Sequence, residues 1–334
     1  MSKGGRIRDV GGWGGAPVSV LVTGGAGFIG SSLVRSLAGD GYSVRVLDDF
    51  STGRPENLEG VAGDVEVLEG DVRDPAAVAK AVTGAEVVYH LAALPSVARS
   101  VADPRASHEV NVDGTLNLLL AAVDAEVRRL VYASSSSVYG DTPVLPKHED
   151  MPVSPRSPYA AAKLAGEAYC RSFARVYPLE TVCLRFFNVF GPRQDPASQY
   201  AAVVPRFVTR MLAGRPAEVT GDGGQTRDFT FVDNAVHACR LAAVAGPEAV
   251  GEAMNVGCGD RISVLDLVEL GNDLLSERVE PVLVPARPGD VRDSQAAVDK
   301  AGRLLGYRPL VPVGDGVAAT VRWFANLTDP TKGA

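Results

Sequence analysis

Residues 18–39 read VSVLVTGGAGFIGSSLVRSLAG, and this stretch decides the fold. An apolar run at 18–23 is followed by Gly24, Gly25, Gly27 and Gly30, then by a helical pattern over 28–39. Glycine gives up more backbone freedom on folding than any other residue, so four in seven positions need a cause. Gly24, Gly27 and Gly30 give the spacing GxxGxxG between strand and helix. The first permits a tight turn, the second a close approach of backbone to a pyrophosphate, and the third close packing of helix on strand. The helix N-terminus then offers unpaired N–H groups and a partial positive charge. A plain strand-to-helix turn can carry the same glycines, so the surroundings have to decide.

Outward from this turn the chain alternates. Apolar runs at 43–47, 65–69, 86–91 and 128–133 read as buried strands. Helix-length segments lie at 75–82, 104–124 and 158–176, and a further strand is expected at 180–185. This rhythm predicts an α/β fold, a Rossmann-type doubly wound parallel sheet covered by helices on both faces. Beyond residue 190 loops interrupt shorter helices at 203–213, 233–246, 263–276 and 314–326, which predicts a smaller C-terminal α/β substrate-binding region. The division expected is a disordered Gly-rich tail over 1–16, a dinucleotide-binding domain over 17–185, and a region over 186–330 with some segments returning to the sheet.

The second strand ends in YSVRVLDDF, with Asp48 eighteen residues after Gly30. A carboxylate there accepts from an adenosine ribose diol and repels a 2′-phosphate, which favours NAD over NADP. Arg45 and Arg54 lie close by in sequence and weaken that preference. Asp71, in LEGDVRD, is placed to accept from the adenine amino group or to serve as an ordinary surface or capping residue. Near 128–133 the chain continues ASSSSVYG, and SPYAAAKLAGE then opens a helix carrying Tyr159 and Lys163. Residues four apart share a helix face. Lys163 can bond a nicotinamide ribose, and its charge is expected to lower the Tyr159 pKa and make the phenol a base. Alone, such a Tyr–Lys pair also suits an exposed helix face.

The net charge of −7 argues against general nucleic-acid binding, which needs a basic surface. No apolar run reaches the length of a membrane span, and the N-terminus lacks the apolar middle of a signal peptide. Four cysteines without CxxC spacing read as reduced residues of a cytoplasmic protein. Four scattered histidines suggest no metal site.

Over about 18–326 the chain resembles the extended short-chain dehydrogenase/reductases, specifically the nucleotide-sugar epimerases and dehydratases. The motifs are TGGAGFIG, LDDFSTG, GDVRD, HLAA, NVDGT, SSSSVYG, PYAAAK, LRFFNVFGPRQ, GDGGQTRDFTFVDN, NVGCG and RPGDVRDS. The resemblance implies Ser135 as catalytic serine, Tyr159 as base and Lys163 as its helper. It implies NAD contacts at Gly24, Gly27, Phe28, Ile29, Gly30, Asp48, Phe50, Ser51, Thr52, Gly53, Asp71, Val72, Leu91, Ala92, Ala93, Asn111 and Phe186, besides Tyr159 and Lys163. Substrate contacts are implied at Ser96, Ser135, Tyr159, Asn188, Val204, Arg227, Arg287, Asp290 and Ser294, with the two arginines on a UDP-sugar diphosphate. A homodimer pairing helices near 104–124 and 158–176 is implied as well.

Within that family Ser136 and Ser137 stand where 4,6-dehydratases carry Asp and Glu, and Ser137 where UDP-glucuronate decarboxylases carry Glu. Neither serine is a good acid or base, so 4-epimerisation of a UDP-hexose is expected. Ser294 is small, and the resemblance ties a small residue there to N-acetylated sugars. A UDP-glucuronate 4-epimerase is the alternative, opposed by Asp195 in the loop where a cation would be wanted. A non-catalytic NAD-binding protein is a further alternative, opposed by the intact Ser135, Tyr159 and Lys163.

Overall fold

The computed structural model describes residues 18–196, 202–285 and 292–328. Arg287, Asp290 and the 1–16 tail therefore lie outside the described residues. Six strands of the main sheet lie before residue 187: β1 (Ser19–Thr23), β2 (Ser43–Asp48), β3 (Val65–Glu69), β4 (Val87–His90), β5 (Arg129–Ser135) and β6 (Glu180–Phe186). A seventh core strand, β7 (Ala253–Val256), returns from the C-terminal half. The order is β7-β6-β5-β4-β1-β2-β3, every pairing parallel. The sheet is therefore Rossmann-type, with its reversal between β1 and β4, where a crevice opens at the strands' C-terminal ends.

The helices are α1 (Phe28–Gly39), α2 (Pro75–Val82), α3 (Val97–Ala102), α4 (Pro104–His108), α5 (Gly114–Asp124), α6 (Pro158–Val176), α7 (Val203–Leu212), α8 (Val232–Val244), α9 (Val264–Asn272), α10 (Asp299–Leu305) and α11 (Val313–Thr328). Leu33, Val34 and Leu37 of α1 join Ala235, Cys239 and Ala242 of α8 on one sheet face. Val78, Leu118, Leu119 and Phe173 from α2, α5 and α6 cover the other. Burial on both faces explains why β4 and β5 are buried along almost their whole length rather than at alternate residues. A third cluster, built on Phe207, Phe229, Leu267 and Phe324, packs α7, α9 and α11 into the C-terminal region.

Local signals set the main boundaries. Ser157 accepts from Ala160 N at 3.1 Å and Pro158 opens α6; Asp74 and Pro75 do the same for α2. The segment expected as one helix at 104–124 is α4, a π-helical turn at Glu109–Asp113, and α5 in continuous sequence. That turn carries Asn111, whose amide bonds Leu94 N (2.8 Å) and Leu94 O (3.1 Å). The wide turn so ties the helix to the segment after β4.

Candidate active site

Gly24 has φ +69°, and a Cβ there would stand 2.6 Å from Ala92 N. A Cβ on Gly30 would stand 2.0 Å from Gly24 O. These two glycines therefore bring the first turn of α1 against the ends of β1 and β4. Gly27 caps α1 without a side-chain bond, leaving the helix N-terminus facing the crevice. Asp48 is buried at the end of β2, where it accepts from Ala26 N (2.8 Å) and Phe50 N (2.9 Å). Burial raises its pKa, and the two N–H bonds oppose that rise. A carboxylate has about four acceptor sites, so acceptor capacity remains for a ribose diol. Arg45 is turned away onto Glu66 (2.7 Å) and the carbonyls of Ala81 and Thr83. Arg54 pairs with Asp195 at 2.9 Å. The two arginines that weakened the preference for NAD are thus both committed to other partners. The bare-backbone cradle and Asp48 fit NAD.

A cleft of about 1160 Å³ runs from this turn to the C-terminal region. A single small-molecule site takes roughly 300–1,000 Å³, so the cleft has room for a dinucleotide and a second ligand. Of the residues named from sequence, its walls include Gly24, Gly27, Phe28, Ile29, Gly30, Asp48 and the loop Phe50–Gly53. Val72, Leu91–Ala93, Ser96, Ser135, Tyr159, Lys163, Phe186, Asn188, Arg227 and Ser294 complete the set. Asp71, Asn111 and Val204 stand off the lining. Asp71 is bound by Arg73 at 2.5 Å, which holds its carboxyl below the usual range. Asn111 is buried against Leu94, and Val204 packs beside Phe207 while its neighbour Ala202 reaches the cleft.

The chemistry is concentrated where β5 ends and α6 begins. The Ser135 hydroxyl stands beside the Tyr159 phenol and favours its ionised form, and Ser137 Oγ donates to Ser135 Oγ at 2.9 Å. Lys163, buried one turn further along α6, donates to Ala133 O at 2.8 Å and lies over the Tyr132 ring. The expected depression of the Tyr159 pKa by Lys163 is corrected here. Burial raises the phenol, with the Ser135 hydroxyl as the opposing influence. Burial also pushes Lys163 down to about 8. Desolvation penalises phenolate and ammonium alike, and the ammonium is committed to a carbonyl rather than to the phenol.

Beneath these groups lies a buried ionic network. Glu167, the next turn of α6 after Lys163, receives Arg185 of β6 through two bonds of 2.9 and 2.7 Å. Ser134, adjacent to Ser135, donates to the same carboxylate. Arg185 continues to Tyr139 OH (2.9 Å), which donates to Asn255 of β7 (2.7 Å). The network ties the Ser135 strand end to the Tyr159 helix. His90, in β4, bridges Thr23 (2.8 Å) and Thr115 (2.9 Å) and is pushed down to about 3 by burial, so it is a neutral strut.

At the other end, Ser294 N donates to Thr226 O (3.1 Å) and Asp228 N to Ser294 O (2.8 Å). Ser294 and Arg227 are therefore neighbours on paired backbone. The buried Asp228 carboxylate accepts from Cys258, Gly259 and Ala296 N–H at 2.8 to 3.1 Å, fixing this wall. Lys147, Arg99 and Arg193 also line the cleft, unassigned from sequence. Arg193 sat in a quoted motif, GPRQ, whereas Lys147 lies in the loop LPKHED, which carries no periodicity.

A sheet of this order, with its glycine turn, acidic β2 end and Ser–Tyr–Lys set, defines a Rossmann-type enzyme of the short-chain dehydrogenase/reductase kind. Residues 20–257 match the NAD dependent epimerase/dehydratase family. The chain belongs to that family, and NAD is its cofactor. It is 44% identical to the UDP-glucose 4-epimerase of Mycolicibacterium smegmatis over 315 residues, 92% of this chain and 98% of that protein. The structure of a UDP-N-acetylglucosamine 4-epimerase from Methanobrevibacter ruminantium, in complex with UDP-N-acetylmuramic acid, superimposes with a TM-score of 0.89. That protein is 36% identical, with 93% of this chain and 99% of the other covered. The Thermotoga maritima UDP-glucose 4-epimerase with UDP-glucose gives a TM-score of 0.89 at 38% identity, covering 93% and 100%. No helix among the described residues is long and apolar enough to cross a membrane.

Proposed function

We propose that the protein interconverts the C4 epimers of a UDP-hexose through a 4-keto intermediate. The observation that carries this is the placement of Ser135, Tyr159 and Lys163 together on the wall of the NAD cleft, with serines at 136 and 137. NAD, when bound, would supply a reversible hydride acceptor and, in its oxidised form, a positive charge that favours phenolate. Tyr159 takes the C4 hydroxyl proton, and Ser135 holds that oxygen and shares the proton. Lys163 holds the nicotinamide ribose. Ser136 and Ser137 provide no acid or base strong enough to remove the C5 proton or expel the C6 hydroxyl. The 4-keto sugar therefore has no dehydration route and returns to an alcohol, with either face open once the ring turns. The names of the 4-epimerases reported above support the same reaction.

The region after residue 186 serves in this reading to hold the nucleotide sugar, with Arg227 on the diphosphate as a planar fork suited to phosphate oxygens. N-acetylated hexoses are included because Ser294 is small and lines the cleft beside Arg227. Replacing it by tyrosine fills the space that an acetamido group needs. Ser294→Tyr is expected to lower kcat/KM for UDP-N-acetylglucosamine more than a hundredfold, roughly 3 kcal/mol, and to spare UDP-glucose. Equal losses on both substrates would make Ser294 structural and remove the support for acetylated sugars.

Protein denatured after purification should release NAD rather than NADP, since Asp48 opposes a 2′-phosphate and both nearby arginines are committed elsewhere. Recovery of mainly NADP would reject the role given to Asp48. A homodimer through α5 and α6 belongs to the same reading, for Leu120 and Tyr169 stand exposed on those helices. A monomer by light scattering at micromolar concentration would count against it.

A further inference from the structure

Lys147 is 2% exposed yet lines the cleft together with Ser137, Gly140, Arg227 and Ser294. Its backbone is fixed: Lys147 N donates to Gln295 O (2.8 Å), and its carbonyl accepts from Ala297 N (2.9 Å) and Asn255 Nδ2 (2.8 Å). The loop is thus strapped to the strand-like segment that follows Ser294. The side chain crosses to Gly140, where Nζ donates to the carbonyl at 3.1 Å.

An ammonium has three N–H groups, and one carbonyl satisfies one of them. Among the described residues no carboxylate comes within ion-pairing distance of Nζ. Among the described residues Arg185 has Glu167, Arg129 has Glu180 and Lys300 has Glu252, whereas Lys163, the other buried lysine without an ion pair, lines the same cleft. Even Glu149, two residues beyond Lys147, gives its carboxylate to Asn255 N instead. Its nearest named opposite charge, Asp141, is paired with Arg156 at 3.5 Å, and a desolvated cation without an ion pair of its own is costly in a finished core. Supporting the Gly140 carbonyl does not require a charge, since any neutral donor would serve.

We propose that Lys147 is a substrate-binding residue whose ammonium donates to an anionic oxygen of the nucleotide sugar. The inference rests on the nucleotide-sugar reading above. Phosphate and carboxylate oxygens share the required chemistry, so the source is either the diphosphate, next to Arg227, or a carboxylate on the sugar. Burial and the Arg227 charge push the Lys147 pKa down against a smaller pull from Asp141, and an anion arriving between the two cations would oppose that shift.

The test is calorimetric titration of the NAD-loaded protein in a Tyr159→Phe background, where bound sugar is not turned over. UDP, UDP-glucose and UDP-glucuronate are compared for the parent, Lys147→Met and Lys147→Gln. The methionine keeps the apolar stem and removes a buried charge together with the donor to Gly140 O. The glutamine keeps a donor for Gly140. Both variants are expected to bind at least one of the three ligands ten times more weakly or worse. Loss on all three assigns the contact to the diphosphate, and loss on UDP-glucuronate alone assigns it to the carboxylate. Affinities within about twofold of the parent for all three ligands would overturn the proposal. So would Lys147→Gln behaving like the parent, because a neutral donor would then suffice. A parent that binds none of the three would sink the nucleotide-sugar reading itself, and this inference with it.

Discussion

Tyr159→Phe is expected to lower kcat by about 10²–10⁴ while leaving UDP-sugar affinity within a few-fold of wild type. General acid–base catalysis by a positioned group contributes on that order. The phenylalanine keeps the ring and its packing at the start of α6 and removes only the hydroxyl beside Ser135. The lost interaction belongs to the transition state, so kcat and kcat/KM fall together and KM holds. The pH profile carries a second signature. Burial holds the phenol above its ordinary pKa in the ligand-free protein. The basic limb of activity should therefore require bound NAD, whose positive charge favours phenolate. The rate should rise with pH as the phenol loses its proton, and this limb should vanish in Tyr159→Phe. A variant that keeps near-normal kcat would mean that another group is the base.

Arg185→Met is expected to destabilise the protein by about 3–5 kcal/mol. The Glu167 carboxylate would be left nearly buried, with Ser134 as its one remaining hydrogen-bond partner among the described residues. A buried charge stripped of its counter-ion costs far more than the intact pair contributes. At roughly 2 °C per kcal/mol for a chain of this size, Tm should fall by about 6–10 °C. The double variant Glu167→Leu/Arg185→Met removes both charges and should recover much of that loss. Activity should not recover with it. Ser134 and Tyr139 lose their anchor in either case, and the register between the Ser135 strand end and the Tyr159 helix loosens. Unfolding of Arg185→Met at the wild-type temperature would show that the pair is solvated and structurally idle. Full activity in a stable double variant would separate the network from the alignment of the site.

The contrast between these two residues shows what a sequence discloses. Tyr159 and Lys163 sit four apart behind a Ser–Pro helix start, so local chemistry alone aligns them. The same local signals made α1, α2 and α6 legible to the residue. The glycine turn was legible because its requirement is steric and short in range. Asp48 was equally plain, since the end of β2 follows the turn directly. β7 escaped, because four residues of AMNV become a core strand only by pairing with β6. The Glu167–Arg185 pair escaped for a similar reason, since the register of α6 on β6 sets it rather than any spacing. Lys147 carried no signal at all. Its position depends on a loop strapped to residues 295–297, about 150 positions away. The error over the Tyr159 pKa has the same origin. Proximity to a lysine is readable from sequence, whereas the desolvation that outweighs it is a property of the packed site.

The measurement that bears most directly on the whole account is proton NMR of purified protein incubated with UDP-glucose, UDP-N-acetylglucosamine and UDP-glucuronate in separate tubes. The account predicts that signals of the C4 epimer grow to an equilibrium mixture for UDP-glucose and UDP-N-acetylglucosamine, with no lasting rise in absorbance from reduced NAD. A 4-keto-6-deoxy or pentose product, or no conversion of any of the three sugars by NAD-loaded protein, would contradict it.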